Sequence, residues 1–325
     1  MTPRVGWPSS VGQASEHGYK GGVPSSSESE PRRARALLSL EGLSVGDAFG
    51  ERFLQSPAVA AESIARRQAP AAPWPYTDDT EMALALVQVL EEHGRVESER
   101  LARLFGARYR KNPQRGYGRT AHDVLQKIHL GMPWREVSAE VFGGGGSMGN
   151  GAAMRVAPLG AWFAGELERC AAEARLSAEV THFHPEGQAG AIAVAVAAAW
   201  AAQWRERRGP VRELFDAVLD HTPPGETRTG LERARDWPLE ATPTSAARAL
   251  GSGQRVLAQD TVPFCVWCTA RHLEDYAEAL WSTVAGGGDC DTTCAIVGGL
   301  VALSAGRESL PRAWVTAREP LPRRG

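Results

Sequence analysis

Two stretches of the chain are apolar on every side, and each is entered through a short run of oxygen-bearing side chains. Residues 294–303 (CAIVGGLVAL) offer no polar face, and a helix of that pattern must be buried. Ahead of them stand Gly286, Gly287, Gly288, Asp289, Cys290, Asp291, Thr292 and Thr293. Residues 81–90 are again apolar-rich and follow Tyr76, Thr77, Asp78, Asp79 and Thr80; His93 and Gly94 close that segment with a C-terminal signal. Asp and Thr are good N-cap residues, so both runs predict helix starts. A plain cap needs one such residue. Paired aspartates, paired threonines and a glycine lead-in exceed that need.

The rest of the pattern is helical. Residues 35–48 read as a helix with a small-residue side: Gly42, Gly46 and Gly50 recur at i, i+4, i+8 and admit a second backbone. That packing leaves Asp47 unexplained. Residues 53–75, rich in Pro and Ala, read as a connection, and residues 97–105 and 122–128 as amphipathic helices. Residues 189–205 read as a long Ala-rich helix, 275–284 as the helix delivering the chain to the glycine run, and 312–314 as part of a closing helix. Residues 223–245 mix Pro, Thr and charge and read as a surface excursion. Neither alternating strand patterns nor repeats stand out. The expectation is an all-α fold, a single compact multi-helical domain over residues 35–325. Residues 1–34, rich in Ser, Gly, Pro and charge without apolar period, are expected to form a disordered leader.

If the two helix mouths meet, they bring together Asp78, Asp79, Asp289 and Asp291. Carboxylates packed side by side do not all stay ionised without cations. Two divalent ions would balance the charge, and all-oxygen donors suit Mg²⁺, Mn²⁺ or Ca²⁺ rather than zinc. The glycine-rich residues 143–151 fit a flexible linker or a cradle for phosphate or ribose oxygens; Asn150 and Arg155, which follow, favour a ligand. His182 and His184 form an H-x-H without a third nitrogen or sulfur ligand. His122 and His129 are expected on helix surfaces.

Three segments in this order, Thr77-Asp78-Asp79-Thr80, Gly149-Asn150-Gly151-Ala152-Ala153-Met154-Arg155 and Gly288-Asp289-Cys290-Asp291-Thr292, resemble the motifs of the ADP-ribosylglycohydrolase family. The resemblance runs from about residue 38 to the C-terminal end. It implies an all-α fold with a binuclear metal cleft and hydrolysis of the glycosidic bond of ADP-ribosyl groups, on a modified protein or a small ADP-ribose conjugate. It implies two Mg²⁺ ions, with Mn²⁺ as the alternative, held by Thr77, Asp78, Asp79, Asp289, Asp291 and Thr292. Substrate contacts are implied at Ser147, Gly149, Asn150 and Gly151, with a substrate-facing histidine carried onto His182 and a capping role left to His184. The family's acid after the opening helix falls on Glu51, which with Asp291 is the catalytic candidate. Two other readings use the same aspartates. One is two-metal phosphoester hydrolysis, against which stands the lack of a Lys/Arg cluster beside the motifs. The other is a non-catalytic ADP-ribose-binding relative, against which stands the retention of every metal position.

Composition narrows the field further. A net charge of −2 gives no electrostatic case for nucleic acid as a partner, other than as an ADP-ribosylated substrate, nor for an anionic membrane. No apolar run reaches the ~18 residues of a membrane span, and no hydrophobic signal core opens the chain, so a cytoplasmic location is the default expectation. Five cysteines, an odd number in a long chain, argue against a disulfide framework. Cys265 and Cys268 lie in apolar sequence and are expected to be buried thiols rather than zinc ligands.

Overall fold

The computed structural model describes residues 26–54 and 57–322. These residues form α-helices and no strands. In chain order the helices are α1 (Ser26–Glu51), α2 (Pro57–Arg66), α3 (Asp78–His93), α4 (Ser98–Lys111), α5 (Arg119–His129), α6 (Trp134–Gly144), α7 (Ala157–Trp162) and α8 (Leu167–Glu179). They continue as α9 (Pro185–Arg207), α10 (Arg212–His221), α11 (Glu226–Asp236), α12 (Pro243–Leu250), α13 (Ala258–Arg271), α14 (Tyr276–Ala285), α15 (Cys290–Ala305) and α16 (Arg312–Ala317). Isolated bridges join Trp74 to Arg318 and Gly149 to Leu257.

The two helices read as buried are buried. Every residue of α15 from Thr292 to Ser304 is inside, as is α3 from Asp78 to Val87. Helix α1 lies along α15 on its glycines. A methyl group at Gly46 would stand 2.1 Å from the Cys294 carbonyl oxygen, and one at Gly50 2.1 Å from that of Cys290. The contact is backbone against backbone, which only glycine permits. Its polar atoms are paired: Tyr276 donates to the Gly42 carbonyl at 2.6 Å and Ser39 to that of Gly299 at 2.9 Å. The Ala-rich α9 supplies the middle of the core from Ala189 to Ala201.

The structure corrects three expectations. Helix α1 begins at Ser26, so residues 26–34, assigned to the leader, are its opening turns; the remainder, residues 1–25, lies outside the described residues. The charged residues that broke the apolar period there bind the body instead: Arg32 pairs with Glu166 at 2.5 Å and Arg33 with Glu91 at 2.9 Å. The connection over 53–75 contains α2. The expected excursion over 223–245 contains α11, which packs on α13 and buries Thr227, Leu231 and Ala234, too few apolar positions to show as a period.

Candidate active site

Helices α3 and α15 open into one cavity of ≈ 490 Å³, lined at one end by Asp78, Asp79, Asp289, Asp291 and Thr292. Two runs far apart in sequence therefore meet. Capping does not account for them. The cap of α3 is Thr77, whose hydroxyl accepts from the Asp79 N–H at 3.4 Å, and the cap position of α15, Asp289, makes no side-chain cap bond. The Asp289 carboxylate instead accepts from Asn150 Nδ2 at 2.7 Å. Asn150 Nδ2 also donates to Thr261 Oγ1 at 3.1 Å, so the amide is held from two sides.

Asp47, unexplained by the sequence pattern, lies fully buried on α1 beneath α3. It accepts from the Thr77 N–H at 3.0 Å, from the Thr77 hydroxyl at 2.9 Å and from the Thr80 hydroxyl at 2.5 Å. Thr77 Oγ1 also stands 3.0 Å from Asp79 Oδ2. One hydroxyl proton cannot serve both carboxylates. With that proton on Asp47, the Thr77 and Asp79 oxygens face each other with lone pairs, a gap that needs a proton or a cation.

Electrostatics point the same way. Burial first, then the Asp47 and Asp289 charges, push the Asp78 carboxyl up to about 8. Asp79 is pushed well above the carboxylate range by burial, then by Asp47 and Asp291; Asp291 is raised by burial, then by Asp289. Asp79 Oδ1 and Asp291 Oδ1 are buried with no hydrogen-bond partner, a costly state for a carboxylate. The fully buried Arg155 lies close enough to lower Asp78, but its guanidinium is tied to Gly151 O, Thr181 Oγ1 and Ser177 O. Hard oxygen donors with unmet negative charge fit a divalent cation such as Mg²⁺. Among the described residues no three His, Cys, Asp or Glu side chains are arranged to hold an ion alone, so threonine oxygens and water would complete the set.

The opposite wall comes from the glycine-rich loop. Phe142, Gly143, Gly144 and Gly146 have positive φ, and the chain then turns so that Ser147, Gly149, Asn150 and Gly151 line the cavity. The segment after α12 straps this loop down: Asn150 N–H donates to Val256 O at 3.2 Å and Ala258 N–H to Met148 O at 3.0 Å. His182 stands beside Gly149 and Gly151; a methyl at Gly151 would lie 3.1 Å from its Nε2. Its Nδ1 pairs with Thr181 Oγ1 at 2.8 Å, and that oxygen already accepts from Arg155 at 3.0 Å. When the threonine donates its proton to Nδ1, the imidazole proton is left on Nε2, toward the glycines. Burial, then the Arg155 charge, holds His182 neutral, pushed down to about 3. His184 caps α9, accepting from the Glu186 N–H at 3.0 Å.

Two sequence candidates lie off the cavity wall. Thr77 sits behind Asp79, engaged by Asp47. Glu51 ends α1, half-buried; burial raises its carboxyl, Arg52 opposes this and the Asp289 charge adds to it, which places it near the acid cluster without lining the cavity. All five cysteines are buried free thiols.

Fold and site together define an all-α protein with an acid-lined cleft between helix N-termini. The chain belongs to the ADP-ribosylglycohydrolase family, whose description matches residues 28–324, and is a hydrolase of that type. It is 29% identical over 318 residues to ADP-ribosylhydrolase ARH3 of Bos taurus, covering 85% of this chain and 86% of that protein. It is 25% identical over 290 residues to the ADP-ribosyl-(dinitrogen reductase) glycohydrolase of Rhodospirillum rubrum, 87% and 89% of the two chains. A solved structure described as an ADP-ribosylglycohydrolase-related protein complex shares the fold, with a TM-score of 0.62 at 24% identity over 89% of this chain and 94% of that one.

Proposed function

We propose that this chain is a metal-dependent hydrolase that cleaves the bond between C1″ of an ADP-ribosyl group and a protein or small-conjugate acceptor. The observation that carries it is the pair of buried, unpartnered oxygens Asp79 Oδ1 and Asp291 Oδ1 on two helix mouths sharing one cavity. Thr77, Asp78, Asp79, Asp289, Asp291 and Thr292 would hold two Mg²⁺, or Mn²⁺. The ions would supply positive charge at the ribose diol and ease deprotonation of an attacking water.

The chain's own groups do the rest. Asn150 fixes the Asp289 carboxylate by its Nδ2 bond. Gly149 and Gly151 let a sugar ring approach the backbone, where His182 Nε2–H can donate to a ribose oxygen. Ser147 Oγ accepts from the Gly149 N–H at 3.2 Å and holds the loop in that shape. Glu51, its carboxyl raised and close enough to feel the Asp289 charge, is the candidate acid for the leaving group. The transition state is oxocarbenium-like, as for other glycosides.

The test is release of free ADP-ribose from an ADP-ribosylated protein, with Mg²⁺ and with chelator, beside a simple phosphodiester. Mg²⁺-dependent release with no phosphodiester cleavage supports the reading. Phosphodiester cleavage alone gives the site to phosphoester chemistry, and binding of ADP-ribose without release gives it to a non-catalytic binder.

A further inference from the structure

Asn150 can hold the Asp289 carboxylate only while its amide stands one way round. The residue that decides this is off the cavity wall. Thr261 lies in the opening turn of α13, fully buried. Its hydroxyl donates to the Leu257 carbonyl at 2.8 Å. A hydroxyl has one proton, so Thr261 Oγ1 meets Asn150 purely as an acceptor. The ionised Asp289 carboxylate is an acceptor too. These two oxygens stand 3.1 and 2.7 Å from Asn150 Nδ2. Both demand the NH₂ end of the amide, and its two hydrogens serve one each. Turned over, the amide would set Oδ1 against both oxygens, lone pair facing lone pair, and Asp289 would have to move.

The backbones of both partners are fixed independently. The strap between α12 and α13 receives the Asn150 N–H on the Val256 carbonyl at 3.2 Å and the Asp289 N–H on the Ser252 carbonyl at 3.0 Å. The same strap packs on the side chains: a methyl at Gly253 would stand 2.6 Å from Asp289 Cβ and 3.2 Å from Thr261 Oγ1. With the main chain pinned, the sense of the amide is what remains to be set.

We propose that Thr261 is a positioning residue for this site. Its hydroxyl, with its own proton spent on Leu257, fixes the Asn150 amide with Nδ2 toward Asp289 and so holds that carboxylate in place for a cation. The role of the cation rests on the functional reading above; the state of the amide does not. Serine keeps the hydroxyl this position needs, whereas valine keeps the shape and loses it.

The experiment has a spectroscopic arm without metal and a binding arm with Mg²⁺ alone. The chain has two asparagines, Asn112 and Asn150, so protein labelled with ¹⁵N at asparagine shows two side-chain amides, and Asn150→Ala assigns them. In chelator, the Asn150 NH₂ hydrogens should exchange with water about tenfold faster in Thr261→Val than in wild type or Thr261→Ser. Equal exchange in all three would overturn the proposal. By calorimetric titration, Mg²⁺ should bind Thr261→Val about tenfold more weakly than wild type and Thr261→Ser within about twofold of it. Thr261 acts through the amide, so Thr261→Val should cause no further loss of Mg²⁺ affinity in an Asn150→Ala background. A Thr261→Val protein with a lowered melting temperature and unchanged Mg²⁺ affinity would show a packing role alone and overturn the proposal, as would an equal further loss in the Asn150→Ala background. Should Thr261→Val not fold, Thr261→Ala lacks the same hydroxyl and gives the same comparison. Wild type that binds no Mg²⁺ would overturn the functional reading, and the exchange arm would still decide what holds the amide.

Discussion

At the residue scale, Asp291 separates a functional site from a helix cap most sharply. It is the second residue of α15, in the first turn, two past a cap position that makes no side-chain cap bond, and one of its oxygens is buried without a partner. Asp291→Asn keeps the shape, so the fold should survive. It should abolish the Mg²⁺-dependent rise in melting temperature and lower ADP-ribose release about a thousandfold, roughly 4 kcal/mol of transition-state stabilisation. Cys290→Ala, at the neighbouring buried thiol, is the control and should retain both. A cap alone would cost about 1 kcal/mol on Asp291→Ala and leave turnover intact; that pattern in calorimetry and kinetics would remove Asp291 from the site. Asp47→Ala acts differently. It strands the N–H and hydroxyl donors of Thr77 and Thr80, and should cost about 3 kcal/mol or more in denaturant unfolding, with chelator as with Mg²⁺. The aspartate pairs were legible because charge without apolar period stood at the mouths of apolar helices. Asp47 was not, because one acid inside a small-residue helix has no pattern around it; only the fold shows what it grips.

At the element scale, the α1–α15 seam sets the distance between Asp47 and the α15 aspartates. Gly46→Ala would drive a methyl into the Cys294 carbonyl at 2.1 Å, with backbone on both sides and nothing able to turn away. It should destabilise by about 3 kcal/mol, the range of overpacked cores. Gly145→Ala is the comparison: its φ is −80° and the nearest heavy atom to an added methyl is 3.6 Å off, so stability should change by less than about 0.5 kcal/mol. Similar melting temperatures for the two variants would show that the seam yields. The i, i+4, i+8 glycines announced this contact, and the continuous apolar run announced the burial of α15. Helix α11 was hidden because a Thr- and Arg-rich segment becomes helical here on a few buried residues, and α2, packed only through the partly buried Ala60 and Ile64, was hidden by the prolines around it. The strap over the glycine loop was hidden too: backbone hydrogen bonds such as Asn150 to Val256 leave no mark in side-chain composition.

At the scale of the whole molecule, the buried carboxylates act together on stability. Asp78 is pushed up to about 8 and Asp47 to about 6, and Asp79 and Asp291 lie well above the ordinary range, by burial first and neighbouring carboxylates second. Unfolded, these groups release their protons near pH ~4. Between about pH 4 and 8 the metal-free folded chain thus holds more protons than the unfolded chain, and its stability falls as pH rises. His182 works in the other direction. Folded, it stays neutral down to about 3, whereas the unfolded imidazole takes a proton below pH ~6.5, so the stability it contributes is lost on acidification below that point. Four carboxylates stand against two imidazoles, His182 and the likewise lowered His272, and their sign prevails. In chelator the melting temperature should be lower at pH 8 than at pH 5.5 by at least about 2 °C, as a change of ~1 kcal/mol produces in a chain of this size. On the proposed function Mg²⁺ would bind the ionised carboxylates, so at millimolar concentration it should raise the melting temperature more at pH 8 than at pH 5.5 and flatten or reverse the slope. Thermal scans at both pH values, with and without Mg²⁺, read this directly. A melting temperature that rises with pH in chelator, together with no gain from Mg²⁺ at pH 8, would mean that the acids carry neither trapped protons nor cations, and the metal site would have to be given up.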